Sequence, residues 1–525
     1  MNRIAVDFLP DELNSGCSYV VKKGVYHIYD RDLTEKFYYV SNNDCGDKKI
    51  WFFAKDKKKV SFDFSGGTLV FHGRISPFFF DNVSDITVKN VKIEYDKPFY
   101  TAGKVIRHSD EKIELIINRE AFPYKVGNGE FIALGEDREQ NLSSGINLFL
   151  EYDKRVKRPA AHSFLYLPVI GENVTYNENA PLKQSHWRAE EKDGKLFLYG
   201  DFSKILGNDR FVLTHEKRDN NVFTFINCKN VTLENVAITD SGSMGALFQN
   251  CKNVSVKKMR VKARKGEDYL VSTNCDATHF CNCRGDVSVE NCVFENMMDD
   301  ACNVHGIYLK VGEVVGKNTL LLKLGHFQQF GVNNFQKGDT VKISSPDMRE
   351  FSADYTVKNA VLIDKNTIKL EVEEDISGVE KGFVADNLTA HPNVRISVCK
   401  TGNNRPRGFL INTNKRAVVE NCVLYNSDCG VEMAGDNSFW CESAGVRNVT
   451  IKNNLFKNCG YYGAGYCVVI HADITANPTI PDFHRNVRII GNDFTYVKNS
   501  VYATNCADLS FAKNREEKSK VFRFK

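Results

Sequence analysis

The sequence predicts an all-β chain: a right-handed parallel β-helix, or solenoid, into which two small β-barrels are inserted. A short pattern closed by Asn recurs at 85–91, 230–236, 253–256, 286–291, 417–421, 448–453, 486–489 and 508–511. Each copy alternates apolar and polar residues, the period of a half-buried strand. With Val88, Leu233, Val256, Val289, Val419, Ile451, Ile489 and Phe511 taken as equivalent, the steps are 145, 23, 33, 130, 32, 38 and 22 residues. Steps of 22 to 38 suit successive coils, with stacked Asn along the corners and Val and Ile filling the bore. The gaps of 145 and 130 must hold inserted domains.

In chain order, residues 1–95 read as an N-terminal cap and first coils, and 96–222 as the first barrel. Coils return over 223–307, a second barrel occupies 308–392, and 393–525 closes the solenoid. Strand-like runs at 112–117 and 195–199 mark the first insertion as antiparallel β, and runs at 319–324 and 367–372 mark the second. Each insertion also carries a related turn-and-strand segment, Gly-Asn-Asp-Arg-Phe-Val-Leu at 207–213 and Gly-Asp-Thr-Val-Lys-Ile at 338–343, so the two barrels are expected to share a design. Helical periodicity is hard to find anywhere.

The chain has 525 residues, and because repeat folds reach this length without dividing into separate cores, length does not count the domains. Its 70 Lys and Arg against 66 Asp and Glu leave a net charge of +4, too weak to suggest a nucleic acid or a membrane surface. A neutral substrate is the plainer expectation, and the basic run at 55–59 reads as a solvated turn. No apolar stretch approaches the roughly 20 residues of a membrane span. With no apolar leader at the start, the chain as written reads as cytoplasmic, or as periplasmic or secreted if a leader has been removed. Its 16 cysteines are far from disulfide-scaffold density and read as reduced. Half of them follow Asn, at 227–228, 250–251, 274–275, 282–283, 291–292, 421–422, 458–459 and 505–506, which marks corners of the repeat.

The chemistry lies at 274–283 and 297–306. Aligning Asp-Ala-Thr-His-Phe at 276–280 with Asp-Ala-Cys-Asn-Val at 300–304 gives an offset of 24 residues, one coil. Neighbouring strands lie about 4.8 Å apart, so Asp276 would stack on Asp300 with Asp299 beside it. Carboxylates that close do not all ionise freely, and split carboxyl pKa values are what acid/base hydrolysis needs. Anchoring on Phe248, Phe280, Val304 and Ile411 extends the column to Met244, Asp276, Asp300 and Arg407 on four successive coils. The next column, Gly245, Ala277, Ala301 and Gly408, is uniformly small and implies either a tight corner or room for a ligand. Arg407 one coil from Asp300 is expected to keep that carboxylate ionised as a base, while Asp299, off the column, keeps a proton as the acid.

His305 shares a polar column with Gln249, Cys281 and Asn412 and is a candidate substrate contact. His279 and Asn303 share a column with Leu247 and Leu410; this places them toward the bore, although Asn303 is also carried as a substrate contact. Glu432 and Trp440, in the loop-rich stretch 428–440, are candidates to accept sugar hydroxyls and to stack on a sugar face, against a plain packing role for each. An Asp-Asp pair alone is weak evidence, since corner Asp residues often just bond the turn. Cys275, Cys281, Cys283, Cys292 and Cys302 lack the two-residue spacing of a zinc site and read as stacked bore residues, so no metal is assigned, nor any cofactor.

Three segments carry a resemblance: 297–306 (Met-Met-Asp-Asp-Ala-Cys-Asn-Val-His-Gly), 275–285 and Arg-Gly-Phe-Leu-Ile-Asn-Thr at 407–413. They resemble glycoside hydrolase family 110, bacterial exo-α-1,3-galactosidases that include enzymes acting on blood group B antigens. The resemblance spans most of the chain, including the two barrels. It implies removal of terminal galactose from an oligosaccharide or glycoconjugate with inversion, Asp299 as general acid, and Asp276 and Asp300 holding and deprotonating the water. Inverting carboxyl pairs lie roughly 6.5 to 9.5 Å apart. Competing readings are a polysaccharide lyase or polygalacturonase on the same solenoid, or a non-catalytic carbohydrate-binding solenoid. The barrels also offer surface for a homodimer.

Overall fold

A computed structural model describes residues 2–518, less 8–12, 34, 350, 462–464, 475–478 and several breaks between 136 and 219. The chain winds as stacked three-sided coils, each adding one strand to each of three parallel faces. In one coil these are Ala246–Gln249, Lys252–Lys257 and Arg260–Val261. The next lays Thr278–Cys281, Arg284–Glu290 and Val293–Glu295 beside them in register. Val88, Leu233, Val256 and Val289 are successive partners. Ile396 follows, then Val419, Ile451, Ile489 and Phe511. Ile396 belongs to a coil hidden inside the gap read from 289 to 419, because the left-handed corner after its strand Asn393–Ser397 is Val398 rather than Asn.

Corner chemistry explains the Asn-Cys repeat. Asn227, Asn250, Asn282, Asn291, Asn421, Asn458 and Asn505 all hold φ between 51° and 56°. That left-handed conformation is one Asn tolerates better than most residues. The turn swings the following residue toward the core: Cys228, Cys251, Cys283, Cys292, Cys422 and Cys459 lie in the bore. Two expectations about cysteines are corrected here. Cys275, after an Asn without this φ, and Cys281, one residue out of phase with the bore-facing Phe280, lie outside the bore in two flanking clusters. All 16 cysteines are unpaired thiols. Asn side chains also bond from coil to coil, as from Asn253 to Asn230 and from Asn230 to Asp85.

The bore beneath the candidate site is aromatic. Phe80, Phe225, Phe248 and Phe280 stack at centroid spacings of 4.8, 5.0 and 4.8 Å, all with no exposed surface. Replacing Phe248 by Ala leaves a void that neighbours on both sides, fixed at coil spacing, cannot close. The variant is expected to lose about 3 to 5 kcal/mol of stability in urea unfolding; a loss below about 1 kcal/mol would show that the column is not a rigid core.

The first insertion departs after Tyr95. Its main antiparallel sheet orders Leu148–Asp153, Arg210–Thr214, Tyr100–His108, Lys112–Ile116, Lys195–Tyr199 and Arg188–Lys192. Gly207, Asn208 and Asp209 of the expected turn lie outside the described residues. The second is a closed antiparallel barrel. Strand Cys302–Gly316 runs from the solenoid into it, and Thr319–Leu324, Thr367–Val372, Ser352–Asp364, Thr340–Ser344 and Val384–Asn387 follow round to pair with it again. Both insertions pack on the candidate site's coils: Leu270, Val271 and Met298 join the core of the first, Cys281 and Ile307 that of the second. Among the described residues no helix is long and apolar enough to cross a membrane.

Candidate active site

The register brings the expected column together. Ala277 donates its N–H to the Asp300 carbonyl and Ala301 to that of Gly408, so Asp276, Asp300 and Arg407 follow one another up one corner, across the whole second barrel. The small column beside them is a tight corner, not room for a ligand. A Cβ on Gly408 would meet the Gly430 carbonyl at 2.3 Å, and one on Gly245 the Ala277 carbonyl at 2.6 Å.

Asp276, Asp299 and Asp300 are all buried, and one oxygen of each lies within 4.8 Å of one of each other. That is close enough to chelate a cation, but three guanidinium groups supply the positive charge. Arg407 forks onto Asp300 through Nε at 2.8 Å and Nη2 at 3.0 Å. Arg218 donates to Asp299 Oδ2 at 2.5 Å, and Arg405 approaches its Oδ1 at 3.5 Å. The carboxylates are also closer than the separation expected of an inverting pair.

The electrostatics split these groups the other way round from the expectation drawn on Arg407. Burial raises the Asp299 carboxyl, but Arg218, Arg405 and Arg407 outweigh it and hold the group below its ordinary range. Asp300 is raised, by burial first and then by Asp299 and Asp276, with Arg407 opposing. Asp276 is raised by burial and by the charge of Asp299. The reason is count: Asp300 faces two carboxylates and one arginine, whereas Asp299 faces three arginines.

The remaining candidates divide. His279 and Asn303 do not point into the bore. They alternate with Phe280 and Val304, which do, so period-two geometry turns them outward. His279 Nδ1 meets Asp276 Oδ2 at 2.5 Å. Asn303 Oδ1 is buried and finds no hydrogen-bond donor among the described residues. His305 lies behind His279, fully buried, with its nitrogens on His279 and the Gly306 carbonyl, so it is not a surface that a sugar reaches. Glu432 accepts from His471 at 2.6 Å and stands 3.4 Å from Arg407 Nη1, where it buttresses that guanidinium. Trp440 is 37% exposed, with the Arg218 guanidinium 5.3 Å from its ring, one residue removed from Asp299.

Arg218 and Arg405 were not singled out in the sequence. Arg218 closes the first insertion, where no repeat phase reaches. Arg405 sits two residues before the column in Arg405-Pro406-Arg407, and that proximity was its only signal.

A β-helix with buried Asp residues at its coil corners defines the class, carbohydrate-active solenoid enzymes, and a model described as glycosyl hydrolases family 28 matches residues 200–314. Models for the GLAA-B beta-barrel domains I and II match residues 102–208 and 319–381. An alpha-1,3-galactosidase A of Shewanella woodyi is 31% identical over 97% of this chain and 81% of its own length. An alpha-1,3-galactosidase B of Bacteroides thetaiotaomicron is 27% identical over 95% and 80%. The chain belongs to the alpha-1,3-galactosidase family, glycoside hydrolase family 110.

Proposed function

We propose that the protein hydrolyses terminal α-1,3-linked galactose from the non-reducing ends of glycans. The observation that carries this is the set of three buried carboxylates on one coil corner, engaged by three arginines, in a chain whose relatives are named for that activity. In this reading Asp299 gives its proton to the glycosidic oxygen. At 7% exposed against 2% for Asp276 and 0% for Asp300, it is the carboxylate a leaving group meets most directly. The unliganded site favours its ionised form, so a bound glycan must draw Arg218 or Arg405 away, and losing a guanidinium partner raises the carboxyl. Asp276 and Asp300 hold a water between them, and Trp440 and Asn303 offer a ring face and an unpartnered acceptor to the sugar.

We infer inversion, although the short spacing alone suits a nucleophile. What supports it is that each carboxylate is already committed, Asp276 to His279, Asp299 to Arg218 and Asp300 to Arg407, while two adjacent carboxylates suit the holding of one water. The test is proton NMR during hydrolysis of an α-1,3-galactoside, with β-galactose expected as the first sugar released. α-Galactose first would mean a covalent intermediate. An unsaturated product absorbing in the ultraviolet would mean a lyase, and binding without turnover a lectin-like solenoid.

A further inference from the structure

Beneath the three carboxylates runs a line of buried groups that hydrolysis does not itself require. Asp276 Oδ2 meets His279 Nδ1 at 2.5 Å, His279 Nε2 meets His305 Nε2 at 2.9 Å, and His305 Nδ1 meets the Gly306 carbonyl at 2.6 Å. Both imidazoles are fully buried. The far end fixes the proton positions. A carbonyl only accepts, so His305 carries its proton on Nδ1 and, when neutral, presents a bare Nε2 to its neighbour. His279 must then donate from Nε2, which leaves its own Nδ1 bare. A bare nitrogen at hydrogen-bond distance from a carboxyl oxygen needs that oxygen to carry the proton.

Two other patterns fit these contacts: an imidazolium at His279, between an ionised Asp276 and a His305 protonated on Nδ1, and an imidazolium at His305, with His279 protonated on Nδ1 and Asp276 ionised. Glu442, whose Oε1 lies 3.6 Å from His305 Nε2 and accepts from Asn42, would be the counter-charge of the His305 cation. The other charged or titratable groups acting on the pair are Arg218, which disfavours a cation at His279, Asp299, which favours one, and His391, which disfavours one at His305. Burial dominates for both rings and brings each down to about 4, so near neutral pH both are uncharged and the first pattern stands.

We propose, on the hydrolytic reading above, that His279 and His305 are positioning residues that hold a proton on Asp276 in the resting site and so leave Asp300 to take the proton of water. Asp276 Oδ1, which accepts from the Asp300 N–H at 3.1 Å, keeps its carbonyl character and orients the water as an acceptor. In turnover the bond between C1 and the glycosidic oxygen breaks as Asp299 protonates that oxygen. The water oxygen bonds to C1, its proton passes to Asp300, and the proton between Asp276 and His279 stays in place. Asp300 then loses its proton and Asp299 regains one by exchange with solvent.

The test is ¹⁵N NMR of the full chain labelled at histidine, without substrate, at pH 7. The two resonances are assigned by their loss in His279→Gln and His305→Gln. Expected are a neutral His279 protonated on Nε2 and a neutral His305 protonated on Nδ1; an imidazolium at either, or Nδ1–H at His279, overturns the proposal. No turnover enters this measurement, so it stands apart from the test of the glycosidase reading. The kinetic arm uses His279→Gln with its fold checked by circular dichroism. Its amide donates to Asp276 and keeps that group ionised, and the added charge raises Asp300. The low-pH limb of kcat/KM should move up by about one pH unit. Lower kcat with the limb unmoved would make His279 merely structural and overturn the proposal. If His279→Gln does not fold, His305→Gln serves in both arms: its amide can donate to His279 Nε2, which moves the His279 proton to Nδ1 and ionises Asp276.

Discussion

Asp299→Asn and Asp300→Asn are each expected to lower turnover of an α-1,3-galactoside by about 10²- to 10⁴-fold, with the circular dichroism spectrum unchanged, because Asn keeps the shape of the carboxyl but transfers no proton. The two losses should part when the leaving group changes. An activated aryl galactoside leaves without protonation, so Asp299→Asn should recover on it to within about tenfold of the parent protein, while Asp300→Asn should stay impaired on both substrates. On the proton placement proposed above, Asp276→Asn should lose clearly less than either, since an amide donates to the bare His279 Nδ1 and accepts from the Asp300 N–H as a protonated carboxyl does. Recovery at Asp276 in place of Asp299 would move the acid role to Asp276. A loss as large as that of Asp300→Asn on the natural linkage would make Asp276 a base and overturn that proton placement.

The column was legible because parallel stacking is indifferent to loop length. Once Phe280, Val304 and Ile411 are equivalent, Asp276, Asp300 and Arg407 must follow, however many residues separate 304 from 411. The same logic reaches only residues that keep the phase of the repeat. Arg218 arrives from the end of an insertion and Arg405 from a corner loop, so the charges that hold Asp299 ionised were out of reach, and with them the direction of the carboxyl shifts. His279 was a different failure. Its phase relative to Phe280 was available, and strand alternation turns it away from the bore and toward Asp276, but sharing a column with Leu247 and Leu410 suggested the opposite. Those two leucines also face outward: Leu247 lies in a cluster outside the bore, beside Met244 and Cys275. Apolar identity was a poor guide to direction where insertions cover the outer face.

Arg407 carries the second large effect. Its fork on Asp300 at 2.8 and 3.0 Å is geometry that a lysine ammonium cannot reproduce, so Arg407→Lys keeps the charge and loses one of the two bonds. A drop in kcat/KM of roughly 30-fold or more is expected, in line with about 2 kcal/mol or more for a disturbed buried charge pair. Arg407→Met goes further. Asp300 already sits above its ordinary range through burial and two neighbouring carboxylates, and Arg407 is the group that opposes this. Without the guanidinium the carboxyl rises further, and activity that needs Asp300 ionised is lost below that higher pKa. The low-pH limb of kcat/KM must therefore move to higher pH in the Met variant, while in the Lys variant it stays nearer its original position. Stability should fall as well: Asp300 and Glu432, both buried, lose a shared partner, and a buried pair broken on one side costs about 3 to 5 kcal/mol, measurable in urea unfolding. If the limb stays where it was in Arg407→Met while kcat falls, Arg407 acts on the sugar and not on Asp300, and the base would have to be sought at Asp276.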